Sequence, residues 1–345
     1  MPRSLDAVVV PTIRPWSLGP AIKLAREADC ALVLLCTGER QAAAAARACG
    51  PQADRVLVTY LPDSAGQDRH LFRTSRHPET EIEPSCHADI ARKRNTALRI
   101  ARLCGWQSVL FLDDDILDIS AAEVRRAAAL TARYAVAGFR IGYYPDNSVV
   151  CHAHRLAGGA QDVFPGGSAM VIDVAQADSL FPPIYNEDWM FLYDAVRRRS
   201  VALAGTLSQL EYDPFANPHR AATEEFGEVI AEGLYWLLDN GQDATDATQQ
   251  FWREALRRRD ELIRRTARKL RDTEDPRAQC ALVSLKAARH RLAVISGRSC
   301  HSFVRDWQAD TEIWRDELVC LPALGDLHDA AKYLNLPDVD RYVTQ

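Results

Sequence analysis

The chain has 345 residues, which is enough for about two domains of ordinary size and a substantial core. Hydrophobic residues make up 47% and charged residues 26%, which excludes disordered and collagen-like chains, and a net charge of −5 gives no general attraction to nucleic acid. Nine widely spaced cysteines without a Cys-x-x-Cys pair argue against a disulfide framework or a zinc ribbon. Because the apolar runs are far shorter than the roughly 18–20 residues of a membrane span, we expect a soluble, cytoplasmic protein with reduced thiols.

The first 115 residues alternate between short apolar runs and longer amphipathic stretches. The runs predict strands over 7–10, 31–36, 55–59 and 108–112, and the amphipathic stretches predict helices over 19–28, 39–48 and 88–103. This alternation is typical of βα units that build a mostly parallel, buried sheet. The stretch 61–85 has no sustained period, and so long a loop inside a compact domain is predicted to be functional.

The pattern changes after residue 116. A helix over 121–132 is followed by a strand over 135–143, a polar turn at Pro145, Asp146 and Asn147, and a strand over 148–154, which indicates an antiparallel or mixed half of the sheet. A strand over 169–172 and a helix over 187–198 come next. Beyond residue 223 the period is helical, with helices predicted over 224–238, 246–272, 276–296, 300–318 and 326–334. We therefore predict an α/β domain and a helical C-terminal domain, divided near residue 220.

A buried strand ends in three consecutive carboxylates, Asp113, Asp114 and Asp115. Ligands of open α/β sheets bind beyond the carboxyl ends of the strands. Adjacent anions repel one another unless a cation neutralises them, and Mg²⁺ or Mn²⁺ held by one or two carboxylates takes its other ligands from water and substrate phosphates. The motif predicts a divalent metal that bridges a nucleotide diphosphate. The simpler alternative is an acidic cap on the next helix.

Several strings, in this order, resemble the GT-A nucleotide-sugar glycosyltransferases, especially those similar to glycosyltransferase family 2. They are VVPTIRP at 9–15, ARKRNTAL at 91–98, LFLDDD at 110–115, GGSAM at 166–170 and NEDW at 186–189. The resemblance covers about residues 6–222. It implies a GT-A fold with a Rossmann-like mixed sheet, a nucleotide-sugar half at about 1–118, an acceptor half at about 119–220, and the helical domain at 221–345.

The resemblance also assigns roles to individual positions. It implies that the nucleotide-sugar, expected to be a UDP or GDP derivative, is bound by Pro11, Thr12, Arg14, Arg94, Asn95, Asp113, Asp114, Gly166 and Gly167. It places the metal on Asp115 and Asp113, with His219 from a Pro-rich loop as a third ligand. It makes Asp188 the base that deprotonates an acceptor hydroxyl, with Glu187 orienting or replacing it.

Elementary chemistry supports some of these positions and offers simpler alternatives. Gly166 and Gly167 would let a ligand approach the backbone closely, but a plain turn would also explain them. Glu187 and Asp188 lie at a predicted helix N-terminus, where the helix dipole alone stabilises carboxylates. Arg220, next to His219, could neutralise phosphate charge.

Two further sequence patterns are weaker evidence for a functional site. Cys151, His152 and His154 look like a metal cluster, but on the predicted strand the two histidines simply share a face. The run 257–271 has eight Lys or Arg residues, and its apolar residues recur at helical spacing. It is therefore predicted to be the solvated face of an amphipathic helix, with an anionic acceptor or a membrane surface as the alternative partner.

These observations predict a metal-dependent, inverting glycosyltransferase with a hydroxyl-bearing acceptor, neither nucleic acid nor a membrane span as a partner, and a homo-oligomer as an open option. A retaining enzyme is an alternative, because some retaining GT-A enzymes combine an acidic motif with a downstream histidine, a position that His219 matches. A sugar-nucleotide pyrophosphorylase is disfavoured because the loop after the first strand lacks a glycine-rich basic sequence. A non-catalytic nucleotide-sugar-binding protein is disfavoured by the intact acids. The identity of the donor's nucleobase is undetermined, since Glu39 is only a weak candidate for the acid that would bind the nucleobase.

Overall fold

The computed structural model describes residues 3–50, 55–62, 71–81, 86–142, 147–160 and 164–339. The strands in these ranges are β1 (Ala7–Thr12), β2 (Ala31–Cys36), β3 (Val56–Tyr60), β4 (Ser108–Leu112), β5 (Val136–Ile141), β6 (Ala169–Asp173) and β7 (Val201–Leu207). The helices are α1 (Gly19–Ala28), α2 (Glu39–Cys49), α3 (Pro78–Glu81), α4 (Cys86–Cys104), α5 (Ala121–Leu130), α6 (Val149–Leu156), α7 (Glu187–Arg197), α8 (Pro218–Asp239), α9 (Gln249–Arg271), α10 (Ala278–Leu292), α11 (Gly297–Cys320) and α12 (Leu327–Tyr333).

The strands form one mixed sheet of seven strands in the order β3-β2-β1-β4-β6-β5-β7. β1 pairs in parallel with both β2 and β4, so Val8 lies between Leu32 and Leu110. β6 runs antiparallel to β4 and β5, and β5 pairs in parallel with β7. The predicted parallel half and the predicted mixed half are both confirmed.

Successive residues of β1 face opposite sides of the sheet, and each side has its own helices. Val8 packs in a core with Leu24 of α1 and Ala45 of α2. Val9 packs in a second core with Leu98 of α4. Because β1 is buried on both faces, its sequence is a continuous apolar run rather than an alternating one.

The segment 148–154 is a helix, α6, so the predicted strand there is wrong. Ser148 caps the helix by accepting a hydrogen bond from the Cys151 N–H at 3.3 Å. The N–H of Val149 donates to Glu224 of α8 at 2.8 Å. Contacts with α8 and α10 bury several faces of the segment, which an alternating strand pattern does not provide for. Tyr143 of the predicted strand 135–143, and Pro145 and Asp146 of the predicted turn, lie outside the described residues.

The helices after residue 217 continue the core on one face of the sheet. Val9 and Phe111 of the sheet share one apolar cluster with Trp252 of α9 and Trp314 of α11. The five predicted helices are confirmed as α8 to α12. The first of them begins earlier than predicted, at Pro218, because proline suits the first helical turn and Asn217 caps it.

The predicted loop 61–85 is described in part, since 63–70 and 82–85 lie outside the described residues. Its middle contains a 3₁₀ turn at Thr74–Arg76 followed by α3. Asp310 of α11, which is fully buried, accepts hydrogen bonds from the N–H groups of Arg73 and Thr74 at 2.9 and 2.8 Å and from the Thr74 hydroxyl at 2.7 Å. This part of the loop is therefore fixed to the C-terminal helices. No described helix is both long enough and apolar enough to cross a bilayer.

Candidate active site

Asp114, the middle acid of the triplet, connects the end of β4 to the loop after β1 through hydrogen bonds. Its Oδ2 accepts hydrogen bonds from the Thr12 hydroxyl at 2.8 Å and from the N–H groups of Ile13 and Arg14 at 3.0 and 2.9 Å. The Arg14 Nε donates to its Oδ1 at 2.8 Å. The acid does not cap the following helix, because Ser120 and Glu123 form a capping box there. The predicted alternative of an acidic helix cap is wrong.

Only one of the two carboxylate oxygens of Asp115, Oδ2, has side-chain donors among the described residues. Its Oδ2 accepts hydrogen bonds from Arg14 Nη2 at 2.8 Å and from Gln209 Nε2 at 3.2 Å. Its Oδ1 is buried and has no hydrogen-bond partner among the described residues. A buried carboxylate oxygen without a donor is unfavourable, and a hard cation satisfies it. Asp115 therefore fits a Mg²⁺ or Mn²⁺ ion bound through Oδ1.

His219 lies apart from this acid. It is an exposed residue in the first turn of α8, not in a loop as predicted, and its N–H donates to Asn217. A ligand set would need donor atoms close together, and the structure does not bring His219 into such a group with Asp113 and Asp115. The third-ligand role of His219 stays a prediction.

Arg94 joins the two acidic motifs of the sequence. Its side chain is buried, and Nη2 donates to Asp113 at 2.8 Å while Nη1 donates to Glu187 at 2.6 Å. Nη2 also donates to the carbonyl of Gly167 at 3.1 Å. Burial opposes the charge of Arg94, but Asp113 and Glu187 outweigh it and raise the pKa of the guanidinium. Arg94 is thus a permanent counterion between β4 and α7.

Glu187 and Asp188 begin α7, as predicted, but their environments differ. Burial raises the pKa of Glu187 to about 8, although Arg94 opposes the shift. Asp188 accepts the Gly167 N–H through Oδ2 and the Trp189 N–H, at 2.9 Å, through Oδ1. Each carboxylate oxygen of Asp188 thus receives one backbone donor and keeps a lone pair for another group.

The glycine pair lies directly against these charged groups. A β-carbon on Gly166 would come within 2.7 Å of Asp188 Oδ2, and one on Gly167 within 2.4 Å of Arg94 Nη1. A plain turn would not demand this closeness. The glycines are needed because the backbone packs on Arg94 and Asp188, whether or not a donor sugar also lies there.

Other predicted donor-binding residues have structural partners. The amide of Asn95 is paired with the backbone of Phe181, through Nδ2 to the carbonyl and Oδ1 from the N–H, both at 2.9 Å. Pro11 lies within β1, opposite Leu35 of β2. Thr12 and Arg14 are both bonded to Asp114. Contacts of these residues with a donor stay predictions.

Lys93 and Arg94 are neighbours with different functions. The Lys93 ammonium is buried, forms an ion pair with Asp89 at 2.6 Å, and donates to Thr37 Oγ1 at 2.8 Å and to the Thr12 carbonyl at 3.1 Å. It ties the ends of β1 and β2 to α4. Within α4, Arg94 alone of residues 92–94 lines the main cavity, in keeping with the limit that helical geometry sets.

One cavity brings together Asp113 of the triplet, Gly166, and both acids of α7. It is lined by His87, Ile90, Arg94, Asp113, Ile141, Asn147, Phe164, Gly166, Ser168, Tyr185, Asn186, Glu187, Asp188, Trp189 and Arg220. Sequence reasoning missed His87 and Ile90, yet their spacing of seven and four residues before Arg94 places all three on one helix face. It also missed the aromatic wall, in which Trp189 lies 5.0 Å from Tyr235 and 5.3 Å from Phe164 between ring centres.

The Cys-His pattern at 151–154 lies elsewhere, on α6. Cys151 forms a compact group with Glu228 and Glu232 of α8, and His152 and His154 do not take part in it. Arg259 already neutralises these acids, at 3.5 Å from Glu228 and 3.2 Å from Glu232. We therefore assign no metal there.

Comparisons with known proteins give little further information. No family model matches the chain. No curated protein matches it. The structure is similar to that of a mannosyltransferase, PcManGT from Pyrobaculum calidifontis in complex with GDP-Man and Mn²⁺, with a TM-score of 0.45 and 13% sequence identity over 91% of this chain and 87% of that chain. A likeness of this strength assigns neither an activity nor a ligand to this chain.

Proposed function

We propose that the chain is a metal-dependent GT-A glycosyltransferase that moves a sugar from a nucleotide diphosphate, UDP or GDP, to an acceptor hydroxyl. One observation carries the proposal: Arg94 brings Asp113, at the end of β4, and Glu187, at the start of α7, to one cavity. The cavity lies beyond the carboxyl end of a central strand, where open α/β sheets bind ligands. Asp113 is then placed to contact the donor ribose.

Asp115 is the proposed metal ligand. Arg14 and Gln209 hold its Oδ2, which orients Oδ1 as the unpartnered oxygen. A bound Mg²⁺ or Mn²⁺ would offset the charge of the departing diphosphate. Because such ions commonly use one or two carboxylates and complete their shell with phosphates and water, one protein ligand suffices.

Asp188 is the proposed base, with inversion at the sugar as the expected outcome. Glu187 is less suited to the task, because it is buried, burial raises its pKa, and its Oε1 is hydrogen-bonded to Arg94 at 2.6 Å. Asp188 lines the cavity, and two backbone N–H groups fix its orientation. A fixed carboxylate with a spare lone pair can accept the proton of an acceptor hydroxyl.

We also propose the division into a catalytic domain at 1–220 and a helical domain at 221–345 that shapes the acceptor side. The proposed boundary falls within α8, and the first turn of this helix supplies Arg220 to the cavity wall, so the helix that leads into the helical domain borders the site.

A second candidate is a non-catalytic nucleotide-sugar-binding protein. The observation that favours it is the Arg14 guanidinium, whose Nη2 lies 2.7 Å from Asp114 and 2.8 Å from Asp115. This cation partly neutralises the acids without any metal. The two candidates differ in turnover, not in donor binding.

The test is release of the nucleotide diphosphate from UDP- and GDP-sugars with Mn²⁺, in which water takes the sugar in place of the acceptor hydroxyl, for the wild type, Asp188→Asn and Asp118→Asn. Asp118 is an exposed acid near the triplet and provides a matched control. We expect Asp188→Asn to keep donor binding and lose roughly 10²–10⁴-fold in turnover, the usual effect of losing a general base. Donor binding without turnover in the wild type would favour the second candidate.

A further inference from the structure

A hydrogen-bonded chain leads from the cavity wall to a second arginine. Arg220 Nη2 donates to the Tyr212 hydroxyl at 3.3 Å, and that hydroxyl donates to the Asn147 carbonyl at 3.5 Å. Arg155 Nη2 donates in turn to the Asn147 side-chain oxygen. Since Asn147 and Arg220 both line the cavity, Arg155 lies directly behind its wall.

Arg155 has donor capacity that the described residues do not use. Its Nη1 is buried and has no hydrogen-bond partner among them. A buried guanidinium nitrogen without an acceptor is unfavourable, so an anion that reached it would gain a charge-assisted hydrogen bond. Arg220 differs, because Glu224 is bonded to its Nε.

The positive charge continues onto α9. His154, next to Arg155, contacts Thr266 of α9 at 3.2 Å. The exposed residues beside Thr266 on that helix are cationic, namely Arg264, Arg265, Arg268, Lys269 and Arg271, and Arg264 is paired with Asp260 at 2.8 Å. Burial lowers the pKa of His154, and the charges of Arg265 and Lys269 lower it further.

His152 lies near Arg155 and Arg220, and their positive charges affect its pKa. Burial, then Arg155 and Arg220, lowers the pKa of His152 to about 4. His152 is therefore neutral at pH 7, and its Nε2 contacts the hydroxyl of Tyr212, the same group that Arg220 contacts, at 3.3 Å. Within the described residues, the acid bonded to this group is Glu224, so the pair of arginines carries an excess of positive charge.

We propose, on the basis of the proposed glycosyltransferase function, that the acceptor carries a phosphate group, which binds at Arg155 and Arg220 beside the cavity. A planar guanidinium fork matches the geometry of phosphate oxygens. Two arginines and a basic approach on α9 favour a multiply charged anion over a single carboxylate. Within the basic run 257–271, Arg257, Arg258, Arg259 and Arg264 are already paired with acids, and the exposed cations Arg265, Arg268, Lys269 and Arg271 then attract this acceptor electrostatically.

The experiment measures binding of inorganic phosphate by calorimetry to the full chain saturated with UDP or GDP and Mg²⁺, so that the donor site is filled. Acetate at the same ionic strength tests the need for a multiply charged anion. The variants are Arg155→Gln, Arg155→Lys and, as a matched control, Arg253→Gln, an exposed arginine near the other end of α9 that contacts Gln250. We expect phosphate to bind, Arg155→Gln to weaken it by at least about 10-fold, Arg155→Lys less, and Arg253→Gln not at all.

Phosphate binding that Arg155→Gln leaves unchanged would overturn the inference. So would phosphate that binds only when the nucleotide is absent, because that result would assign the arginines to the donor diphosphate. Absence of phosphate binding, or equal binding of acetate, would do the same. Failure of UDP and GDP to bind would count against the proposed function instead, and phosphate titration of the unliganded chain would still test Arg155.

Two further probes identify the source of the phosphate. Glycerol 3-phosphate represents a soluble ester, and vesicles of phosphatidic acid in phosphatidylcholine represent a lipid headgroup. Arg155-dependent binding of the first alone supports a soluble acceptor, and Arg155-dependent binding of the vesicles supports a lipid-linked one. Vesicle binding that is independent of Arg155 would contradict a role for this site.

Discussion

Gly167 and Arg94 are in such close contact that no β-carbon fits between them. A β-carbon on Gly167 would lie 2.4 Å from Arg94 Nη1 and 2.7 Å from Cζ. The same guanidinium is bonded to Asp113 and Glu187, so any displacement of Arg94 disturbs both acidic motifs. The glycine therefore controls the geometry of the whole candidate site.

Gly167→Ala is expected to destabilise the fold and to abolish turnover, because Arg94 must leave its buried position. Overpacking of this kind costs about 1–3 kcal/mol. Gly19→Ala is the control, since a β-carbon there meets nothing within 4 Å. Denaturant unfolding and product release measure both effects, and a fully stable, fully active Gly167→Ala variant would show that Arg94 is not fixed as described.

Asp114→Asn is expected to lower stability rather than metal affinity. The substitution weakens the link between Asp114 and Arg14 and leaves buried donors of the β1 loop poorly satisfied, at a cost of about 1–3 kcal/mol in the free energy of unfolding. Denaturant unfolding compared with Asp118→Asn measures it. Unchanged stability combined with lost Mn²⁺ binding would instead make Asp114 a metal ligand.

The pKa of Glu187 predicts a pH dependence of stability. The folded state holds this proton up to about pH 8, whereas the unfolded chain releases it near the ordinary value of 4.5. Between these values the folded state binds more protons, so the contribution of Glu187 is full below the unfolded pKa and falls as pH rises towards 8. We expect the free energy of unfolding of the wild type to fall relative to Glu187→Gln from pH 5 to pH 8. A constant difference over that range would mean that Arg94 keeps Glu187 ionised.

The continuous core predicts that the proposed catalytic domain does not fold alone. Val9 and Phe111 of the sheet share a cluster with Trp252 and Trp314, so removal of residues 224–345 exposes an apolar face of the sheet. We expect the truncated chain to be insoluble or to bind a dye for exposed apolar surface. A soluble truncation with full activity would refute this packing.

Local signals were sufficient to predict much of the fold. The apolar runs 31–36 and 108–112 became β2 and β4 with the predicted limits, because each is buried on both faces and needs no distant information to be apolar. The helical period of 19–28 likewise fixed α1. The acids of the triplet and of α7 were predicted to share a site, and Asp113 of the triplet lines the cavity together with Glu187 and Asp188.

Distant contacts decide what local sequence does not show; one of them makes the predicted strand 148–154 wrong, and others give the site residues partners that were not predicted. The segment 148–154 is a helix because Glu224, 75 residues away, binds its first N–H group. The function of Asp114 is set by Thr12, 102 residues earlier in the chain. Asn95 has a sequence typical of a donor-binding helix, but its amide partner is the backbone of Phe181. Sequence spacing contains none of these pairings.

The most direct test of the central claim is a thermal-shift measurement with UDP- and GDP-sugars, each with Mn²⁺ and with EDTA, on the wild type, Asp115→Asn and Asp118→Asn. A ligand at 100 times its Kd stabilises the folded state by about 2.7 kcal/mol, which such a measurement detects. We expect a shift with one nucleotide class that requires Mn²⁺, persists in Asp118→Asn and disappears in Asp115→Asn. No shift with either nucleotide, or an equal shift in EDTA, would contradict a metal-dependent nucleotide-sugar site at Asp115.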